Sequence, residues 1–541
     1  MIPTSSSSSA EAFTPAERSR LAPYFTNLDG HVFALTNLPE TVKGALFARY
    51  SRSAKSLRRL YLDEFDDPEV AEAAERAQET RAPGKAEARA EKLYTKVFNE
   101  YGDDSVAQLG AAHIACEYVS NVLTKVLEWG RLMAYLEQST RYVPYTDTLH
   151  GRWRYHVPEE IPAGPLRTRY EQTLDAAFAT YARLIPIVQD YFERRFPRAA
   201  SDSEAVHRAA IRAKALDTLR GLLPAATQSN VGLFGTGQAF EALLLRMRAH
   251  PLVEARACAD DMLVELRKVI PAFLTRVDQP DRGGVWSRYL ASTRESLAQI
   301  AAQLDAAGEE PADEVSLTDF DPDGEVKVVA AALYAVSGES DERLLALARR
   351  MTAEERAGVL RACAGDRGNR RHRPGRAFER TSYRFDIVTD YGAFRDLQRH
   401  RLLTLEWQAL SPRHGYGEPE AIAECGATSD WTRVMDASRE LHDAIAESGL
   451  TVVAPYAVAM AYRVRFYMEM NAREAMHLIE LRTAPQGHPS YRRVCQQMHR
   501  LIAEKAGHRG IAGAMRFVDH TPVELERLAS ERSLERKRSQ A

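Results

Sequence analysis

Residues 458–482 read VAMAYRVRFYMEMNAREAMHLIELR, and this stretch decides the fold of the second half of the chain. Large side chains alternate with smaller or polar ones along 458–470, which is the period of a strand buried on one face. A helix is predicted to follow at once, because Asn471 is a good N-cap residue and Glu474 stands three residues later, in the capping-box position. The apolar spacing then predicts a helix that ends at Leu481–Arg482.

The same order of elements recurs near the middle of the chain. Val231 and Leu233 alternate with smaller residues, and Thr236 can cap a helix that is predicted to end in a basic last turn. A His-Pro pair and another helical pattern follow in both places, at His250-Pro251 and at His488-Pro489. We therefore interpret the chain as a tandem duplication of one unit: strand, capped helix, arginine, His-Pro and helix.

The length of 541 residues exceeds what one hydrophobic core usually organises, while 45% apolar and 27% charged residues are typical of globular protein. Residues 306–324 collect Gly, Pro, Asp and Glu, as interdomain linkers do. Ala71–Ala90 is interpreted as a solvated helix or its connection. The expected segments are a disordered tail (1–20), an N-terminal lobe (21–300), a linker (301–324), a C-terminal lobe (325–525) and a polar tail (526–541).

Charge and cysteine content exclude several classes of protein. The net charge of -3 gives no global basic field for nucleic acid or a membrane surface. Five cysteines without a Cys-x-x-Cys pair disfavour a zinc knuckle and a disulfide framework, and they predict reduced thiols. The serine-rich N-terminus is unlike a secretion signal, and no apolar run is long enough to span a membrane. We expect a cytoplasmic protein.

Each half carries an arginine-bearing segment after an apolar pattern. In the second half it is Arg399-His400-Arg401, and in the first half it is Arg131-Leu-Met-Ala-Tyr-Leu-Glu137-Gln-Ser139-Thr-Arg141-Tyr142. Adjacent cationic side chains at a helix end suit an anion that spans several contacts, such as a pyrophosphate. The alternative is a solvated helix end, where basic residues are favoured anyway.

The second-half segment 399–413 resembles the signature of the flavin-dependent thymidylate synthases, which is an Arg-His-Arg followed by Ser, Asn-Glu, Ser and Arg-Tyr. It departs at Glu406-Trp407, which stands where Asn-Glu is expected, and its Ser411-x-Arg413 is displaced by two residues. The first half shows the complementary departure at Trp129-Gly130, which replaces the leading Arg-His. The later part of the signature is matched there without a gap, by Glu137, Ser139, Arg141 and Tyr142.

Downstream, the stretch from Arg465 to Arg473, with Leu481-Arg482, resembles the Arg-Phe-Phe-x-x-x-Asn-Ala-Arg junction and the later Leu-Arg of the same family. The family also has a phosphate-binding arginine sixteen residues before that Asn, and Arg220 stands sixteen residues before Thr236. The second half has Pro455 at this place. The resemblance covers about 100–275 and 370–520. It implies an α/β fold of two tandem thymidylate-synthase-complementing-type lobes, each a sheet with packed helices, forming a pseudo-dimer.

In this family the active site forms where subunits meet, so the resemblance implies one composite site built from both halves. The first half would bind the nucleotide and its 5′-phosphate, through Glu137, Ser139, Arg141 and Arg220. The second half would bind FAD, through His400, Arg401, Asn471 and Arg473. Family members form tetramers, so a homodimer of this chain would reproduce that assembly.

The family reaction adds a one-carbon unit to C5 of dUMP with reduced flavin, and it uses NADPH and methylenetetrahydrofolate as co-substrates. No enzyme cysteine attacks C6 and no metal is implied. A uracil activated at C5 gathers negative charge on its carbonyl oxygens, which guanidinium groups in a dry cleft stabilise. By resemblance, Arg399 and Arg482 are the catalytic arginines at the pyrimidine ring.

Asp396 bears on the choice of substrate. It stands three residues before Arg399, where the family usually has Gln. A Gln side chain both donates and accepts, whereas an ionised Asp only accepts. Asp396 is therefore expected to favour a ring edge that carries donors, which leaves a pyrimidine nucleotide other than dUMP open.

Three further interpretations stay open. The basic segment 367–380 binds a cofactor phosphate or NADPH, or else it is a mobile surface loop. The Glu-x-x-His spacings at Glu204–His207 and Glu474–His477 are those of a di-iron carboxylate enzyme, although no pair of lone glutamates accompanies them. The broken signatures also suit a non-catalytic flavin- or nucleotide-binding scaffold protein, but their losses do not overlap, which random decay would not favour.

Overall fold

The computed structural model describes residues 12–29, 35–46 except 41 and 44, 55–66, 108–304 except 142 and 150, and 313–540. Several expectations lie outside these described residues: most of the N-terminal tail, the solvated helix at Ala71–Ala90, residues 305–312 of the linker, and Tyr142.

Nine strands are described, and they form three sheets in the orders β1-β5-β2, β3-β4 and β6-β7-β9-β8. Their bounds are β1 Ala111–Ser120, β2 Met133–Glu137, β3 Thr148–Leu149, β4 Arg152–Trp153, β5 Gln228–Thr236, β6 Val315–Phe320, β7 Ser382–Asp390, β8 Thr404–Trp407 and β9 Arg463–Asn471.

Helices surround the sheets. The α-helices are α1 Pro15–Leu21, α2 Leu57–Leu60, α3 Asn121–Leu127, α4 Pro165–Arg195, α5 Glu204–Leu219, α6 Gly237–Arg248, α7 Val253–Arg267, α8 Gly283–Gln303, α9 Gly324–Ser337, α10 Asp341–Arg350, α11 Ala353–Ala364, α12 Tyr391–Gln398, α13 Glu420–Glu424, α14 Thr428–Glu447, α15 Ala472–Arg482, α16 Pro489–Glu504, α17 Arg509–Ala514 and α18 Leu528–Gln540. Short 3₁₀ turns include Arg220–Leu222, Arg376–Arg380 and Ala454–Ala457.

The described residues group into two compact units. One unit comprises parts of 1–116, 132–136 and 230–305, and the other comprises 117–131, 137–229 and parts of 306–541. This grouping differs from the lobes expected at 21–300 and 325–525, because 117–131 and 137–229 pack with the second half of the sequence. Every residue expected in the composite site therefore belongs to the second unit, whichever half of the sequence it comes from.

The core of the second unit lies on its antiparallel four-stranded sheet. β7 and β9 pair along their whole lengths, from Ser382 opposite Asn471 to Asp390 opposite Arg463. Alternate side chains of β9 are buried, among them Phe466 and Met468, as the sequence period predicted. α16 packs against β6 and β7 and covers this sheet.

The strand expected from Val458 begins only at Arg463. The preceding residues have other backbone partners, since 456–461 bond to 221–226 in four hydrogen bonds that form two reciprocal pairs. These are Ala225 N to Val458 O (2.8 Å) with Met460 N to Leu223 O (2.9 Å), and Ala226 N to Tyr456 O (3.0 Å) with Ala461 N to Gly221 O (3.0 Å). The difference in residue number between Arg220 and Pro455 is the same as the difference between the two donor residues in each pair of hydrogen bonds. The two repeats therefore meet with local twofold symmetry.

The first unit contains the sheet β1-β5-β2 for most of its length, and α6 packs against α7 and α8. Thr236 caps α6, because its side chain accepts from Ala239 N at 3.3 Å. Leu243 and Met247 are buried on that helix. The strand and helix predicted in the first half are thus present.

Two segments expected to be a disordered tail and a linker contain regular structure, and so does the segment expected to be a polar tail. Pro15–Leu21 of the N-terminal tail is a helix that begins with a capping box at Thr14. Val315–Phe320 of the linker is an edge strand paired with β7. Leu528–Gln540 of the polar tail is a helix packed on α5. Ion pairs such as Arg532 with Asp202 hold that helix.

Two expectations concern the whole chain. All five cysteines are free thiols in the described structure. Among the described residues, no helix combines the length and the apolar character needed to cross a membrane.

Candidate functional site

The expected site residues belong to the second unit and lie at the ends of four helices or strands. Arg399, His400 and Arg401 follow the C-terminus of α12, while α15 carries Asn471 at its N-cap and Arg482 in its last turn. From the first half of the sequence, Glu137 ends β2 and precedes Ser139 and Arg141, and Arg220 directly follows α5. Helix and strand ends bring these side chains together because they are where the chain leaves the packed core.

Asp396 is the centre of a cluster of arginines. It forms an ion pair with Arg399, and its oxygens lie 3.5 Å from Arg482 Nη1 and 3.8 Å from Arg220 Nη1. Burial raises the pKa of the Asp396 carboxyl, but the positive charges of these arginines outweigh it and hold the pKa well below its usual range. Asp396 is therefore ionised, and one carboxylate balances guanidinium groups from both halves of the chain.

The Arg220 guanidinium has a hydrogen-bond donor that no described residue uses. Its Nη2 atom is buried and has no hydrogen-bond partner within the described structure. Gly392 makes room for the group, because a Cβ atom there would lie 3.0 Å from the Arg220 guanidinium. A cavity of ≈ 820 Å³ opens beside Arg220, Asp217 and His488. A buried guanidinium with an unused donor next to a cavity suits an anionic ligand.

Arg141 is held by a residue that the sequence did not single out. Its Nε donates to both oxygens of Asp217 at 2.8 Å, and Nη1 lies 3.4 Å from the hydroxyl of Tyr491. Ser139 forms the turn before it, where the Ser139 hydroxyl accepts from Arg141 N at 3.3 Å. Asp217 stands one turn before Arg220 on the same helix end, and that spacing is the only sequence signal that could have indicated it.

Glu137 lies in a fully buried charge network. Arg395 Nη2 is 2.7 Å from one of its oxygens, and Lys125 Nζ is 3.3 Å from the other. Burial raises the pKa of Glu137, but the positive charges of Arg395 and Lys125 lower it by more, to about 2. The Lys125 amine also pairs with Glu128 at 2.6 Å. The sequence did not indicate Arg395, Lys125 or Glu128 as site residues, because each has the pattern of a single charged residue on an amphipathic helix.

His400 faces the helix α15. Its Nδ1 atom is 3.2 Å from Glu474 Oε1, and its Nε2 atom accepts from Arg482 Nε at 3.0 Å. Burial lowers the pKa of His400 to about 4, despite the hydrogen bond to Glu474, so the ring is neutral near pH 7. The pKa of Glu474 is raised by burial but lowered more by the hydrogen bonds from His400 and His477, to about 2.

The capping-box expectation for Glu474 is wrong. Asn471 caps the helix, since its Oδ1 accepts from Glu474 N at 2.9 Å. The Glu474 carboxylate points to His400 and to His477 instead, whose Nδ1 lies 3.4 Å from both carboxylate oxygens. The Glu474–His477 spacing considered for a di-iron site thus joins a Glu and two His side chains, with possible ligand atoms within 4.8 Å of one another.

The other residues expected at the flavin lie around the start of α15. Arg473 Nε donates to Pro374 O at 2.9 Å, and its Nη1 is 3.3 Å from Glu379. Arg401 is exposed on the segment that follows His400.

Buried contacts hold the basic segment 367–380, unlike a mobile surface loop. Arg367 is buried and forms an ion pair with Glu480 at 2.5 Å. Its guanidinium also donates to Ala514 O at 3.2 Å. Arg373 remains exposed and reaches His477, with 3.3 Å between Nη2 and Nε2. The segment is therefore anchored at Arg367, and Arg373 is directed toward α15.

The position related to this site by the local twofold axis is filled by two tryptophans. Trp129 aligns with Arg399, and Trp407 aligns with Glu137. Their ring centroids are 5.6 Å apart in a T-shaped arrangement, and Trp129 Nε1 donates to Leu405 O at 2.9 Å. Pro455 aligns with Arg220. At these three aligned positions the charged residues of the first site are replaced, and the two indole rings pack against each other.

The chain matches one protein family and is similar to individual relatives over nearly its whole length. Residues 48–272 and 316–507 match the family of the thymidylate synthase complementing protein. A UPF0159 protein of Chlamydia muridarum (strain MoPn / Nigg) is 37% identical over 522 residues, covering 96% of this chain and 98% of that protein. One from Thermoplasma acidophilum is 30% identical over 514 residues, covering 90% of this chain and 97% of that protein.

Similar solved structures are smaller chains. A crystal structure of the UMP/dUMP methylase PolB from Streptomyces cacaoi bound with 5-Br dUMP is 21% identical, covers 38% of this chain and 97% of that chain, and has a TM-score of 0.30. The same methylase bound with 5-Br UMP is 20% identical, covers 38% of this chain and 96% of that chain, and has a TM-score of 0.28.

Proposed function

Since the chain belongs to the thymidylate synthase complementing protein family, we propose that it is a flavin-dependent methylase that acts on dUMP, or on a related pyrimidine nucleotide, at C5. FAD is the proposed cofactor, and methylenetetrahydrofolate and NADPH are the proposed co-substrates. One composite site in each chain carries the reaction. Two chains are proposed to form a homodimer that mimics the tetramer of the family.

One observation supports this proposal above the others. Arg220 from the first half of the sequence and Arg399 and Arg482 from the second half converge on the carboxylate of Asp396. The motifs lost by one half are kept by the other, and the retained residues meet in space. A decaying duplicate would keep no such agreement, because random losses do not spare complementary sets.

The arrangement divides into a phosphate end and a ring end. Arg220 and Arg141 come from one helix end and one turn, and we assign them to the 5′-phosphate, with Ser139 adding a hydroxyl. Arg399 and Arg482 are assigned to the pyrimidine carbonyl oxygens. These guanidinium groups are held by ion pairs before substrate arrives, so they stabilise developing charge with little reorganisation.

The donor set near the start of α15 suits the pyrophosphate of FAD. It consists of Arg401, Arg473 and the helix N-terminus at Asn471, which favour an anion, while His400 is a neutral ring that carries no charge to oppose one. When bound, the flavin supplies reducing equivalents for the methylation. The residues of the chain bind and orient it, and they hold Arg482 toward the neighbouring ring end.

Purified protein provides the first test, because a bound flavin has a visible spectrum. Protein prepared without added cofactor is expected to show oxidised-flavin absorption. Denaturation should release about one flavin per chain, because one composite site is proposed in each chain. Titration with dUMP should change the spectrum. Arg399→Ala should abolish that change, while Arg384→Ala, an exposed arginine on β7, is the matched control and should leave it intact.

A turnover assay distinguishes the proposed enzyme from a non-catalytic paralogue. Formation of a C5-methylated nucleotide from methylenetetrahydrofolate and NADPH supports the enzyme. Flavin and dUMP binding without turnover would favour the non-catalytic paralogue. A colourless protein that takes up neither FAD nor dUMP would overturn both, and the family membership would then describe the fold alone.

A further inference from the structure

Glu474 has no role in the function proposed so far, although it is central to the site. Its carboxylate is 5% exposed and accepts from two imidazole rings, those of His400 and His477. Each ring meets an arginine on its other side. Arg482 Nε donates to Nε2 of His400 at 3.0 Å, and Arg373 Nη2 lies 3.3 Å from Nε2 of His477.

The two arginines fix the tautomer of each ring. A guanidinium has N–H donors and no acceptor, so the Nε2 atom that faces it must carry the lone pair. The ring proton then sits on Nδ1 in both His400 and His477. Both Nδ1–H groups face the Glu474 carboxylate, which accepts them with its two oxygens. Every member of this chain of hydrogen bonds is satisfied.

The same argument disfavours a metal ion in the cluster of Glu474, His400 and His477. A metal ligand at Nδ1 needs a lone pair there, and its Nε2 would then carry a proton. That proton would face the N–H groups of Arg482 and Arg373, which is donor against donor. Two guanidinium charges beside the imidazoles also oppose a cation.

We infer that Glu474 is a positioning residue that, through His400 and His477, orients the guanidinium groups of Arg482 and Arg373. Arg482 is the proposed ring arginine, so this inference rests on the proposed function for its effect on substrate. Arginine side chains have many rotamers, and a fixed acceptor at Nε2 selects one of them. The carboxylate thereby links the ring end of the site to the basic segment 367–380.

Histidine tautomers are measurable directly in the full-length protein by long-range proton–nitrogen NMR after ¹⁵N-histidine labelling. His400→Gln and His477→Gln variants assign the two rings. We expect both rings to be protonated at Nδ1 in the wild type near pH 7. A wild-type protein in which either ring is protonated at Nε2 would overturn the inference, whether or not the protein has any activity.

Glu474→Gln tests the carboxylate itself. The amide offers one acceptor and one donor group, so one ring should change tautomer. The Kd for dUMP should rise about tenfold, the scale of one hydrogen bond to a charged group. Glu469→Gln, on the adjacent strand end, makes the same chemical change at the surface and should leave Kd within about twofold, the scale of a neutral surface substitution.

A second variant keeps the test valid if Glu474→Gln does not fold. His477→Asn still offers an amide N–H to Glu474 but does not reach Arg373. The His400 tautomer and the dUMP Kd should stay as in the wild type, while trypsin should cleave faster after Arg370 and Arg371, which lie beside Arg373. Unchanged cleavage would overturn the Arg373 arm of the inference.

Two outcomes distinguish the inference from its premise. If the wild type has the expected tautomers but binds no dUMP, the proposed function fails and the hydrogen-bond chain stands. If added Co²⁺ removes the two Nδ1–H signals and gives a ligand-field spectrum, the cluster is a metal site and the inference fails. Unchanged tautomers and affinity in Glu474→Gln would also overturn it.

Discussion

Charge balance around Asp396 describes the site at the scale of single residues. Arg399, Arg482 and Arg220 surround one carboxylate, so the cluster has an excess of positive charge. The carboxylate makes the burial of these arginines tolerable when no nucleotide is bound, because an unpaired buried charge costs several kcal/mol, about 3–5 by mutation. The remaining positive charge is available to an anionic substrate.

Asp396→Gln tests the influence of this carboxylate on the base. Ionised Asp accepts only, so the wild type should bind dCMP, whose ring edge carries an amino donor, better relative to dUMP than the variant does. We expect the ratio of the two Kd values to shift toward dUMP by about tenfold, the size of one hydrogen bond to a charged group. Calorimetric titration measures both constants.

Asp436→Asn is the matched control for that substitution, since Asp436 forms an exposed pair with Arg439 on α14. It should leave the ratio unchanged. Efficient dUMP turnover by the wild type, with dCMP and its hydroxymethyl analogue inactive, would contradict the idea that Asp396 selects a different ring edge.

Part of the candidate site was predicted from the sequence at this scale. The Arg399-His400-Arg401 triplet and Glu137 were predicted from motif resemblance, and the structure places them in one unit. Asp217 and Arg395 were not predicted. Their partners are 76 and 258 residues away in the chain, so nothing local in the sequence marks either residue as different from a solvated charge.

At the scale of elements, α15 is the platform of the site. Its N-cap is Asn471, its first turn carries Glu474, His477 follows three residues later, and its last turn holds Arg482. Residues three or four apart lie on the same face of a helix, so one face supplies several functional side chains. The burial of Met476 and Ile479 on the opposite side keeps that face fixed.

Asn471 allows capping to be separated from flavin binding. Asn471→Asp keeps a good N-cap residue, so the free energy of unfolding in urea should change little. Asn471→Ala removes the cap and should lower it by about 1 kcal/mol. If the amide also contacts FAD, both variants should weaken flavin binding, because Asp adds a negative charge near a pyrophosphate. Equal flavin affinity in Asp and wild type would confine Asn471 to capping.

The elements that sequence predicted best are those with a strong local pattern. β9 and α15 have clear periods and a capping residue, and both are present. The start of β9 was placed too early, because residues 456–461 pair with 221–226 rather than extend the strand. Val315–Phe320 was assigned to a linker because an edge strand paired on one side needs few large side chains.

At the scale of the whole molecule, buried ionisable groups set the response to acid. His400 and His250 are neutral when folded because burial lowers the pKa of each to about 4, from 6.5. Between these values the unfolded chain binds protons that the folded chain does not. Stability is therefore full above pH 6.5 and falls as pH falls from 6.5 toward 4.

Urea unfolding between pH 4.5 and 7.5 measures this dependence. Each of the two histidines should contribute about 3 kcal/mol at most, since one pKa unit is worth about 1.4 kcal/mol. His250→Asn should reduce the slope without changing dUMP binding, because His250 lies outside the composite site. A slope that His250→Asn leaves unchanged would contradict the assignment. Below pH 4.5, Glu137 and Glu474 should add a further loss, because their folded pKa values lie at about 2.

Segments 221–226 and 456–461 exchange backbone hydrogen bonds as two subunits of a symmetric dimer would, yet they belong to one polypeptide. A pairing between separate chains obeys mass action and dissociates on dilution. A covalent connection replaces the bulk concentration by a fixed effective concentration. The pairing between these two segments is therefore insensitive to how many copies of the protein a cell makes. Because the two partners have different sequences, each can carry residues that the other lacks.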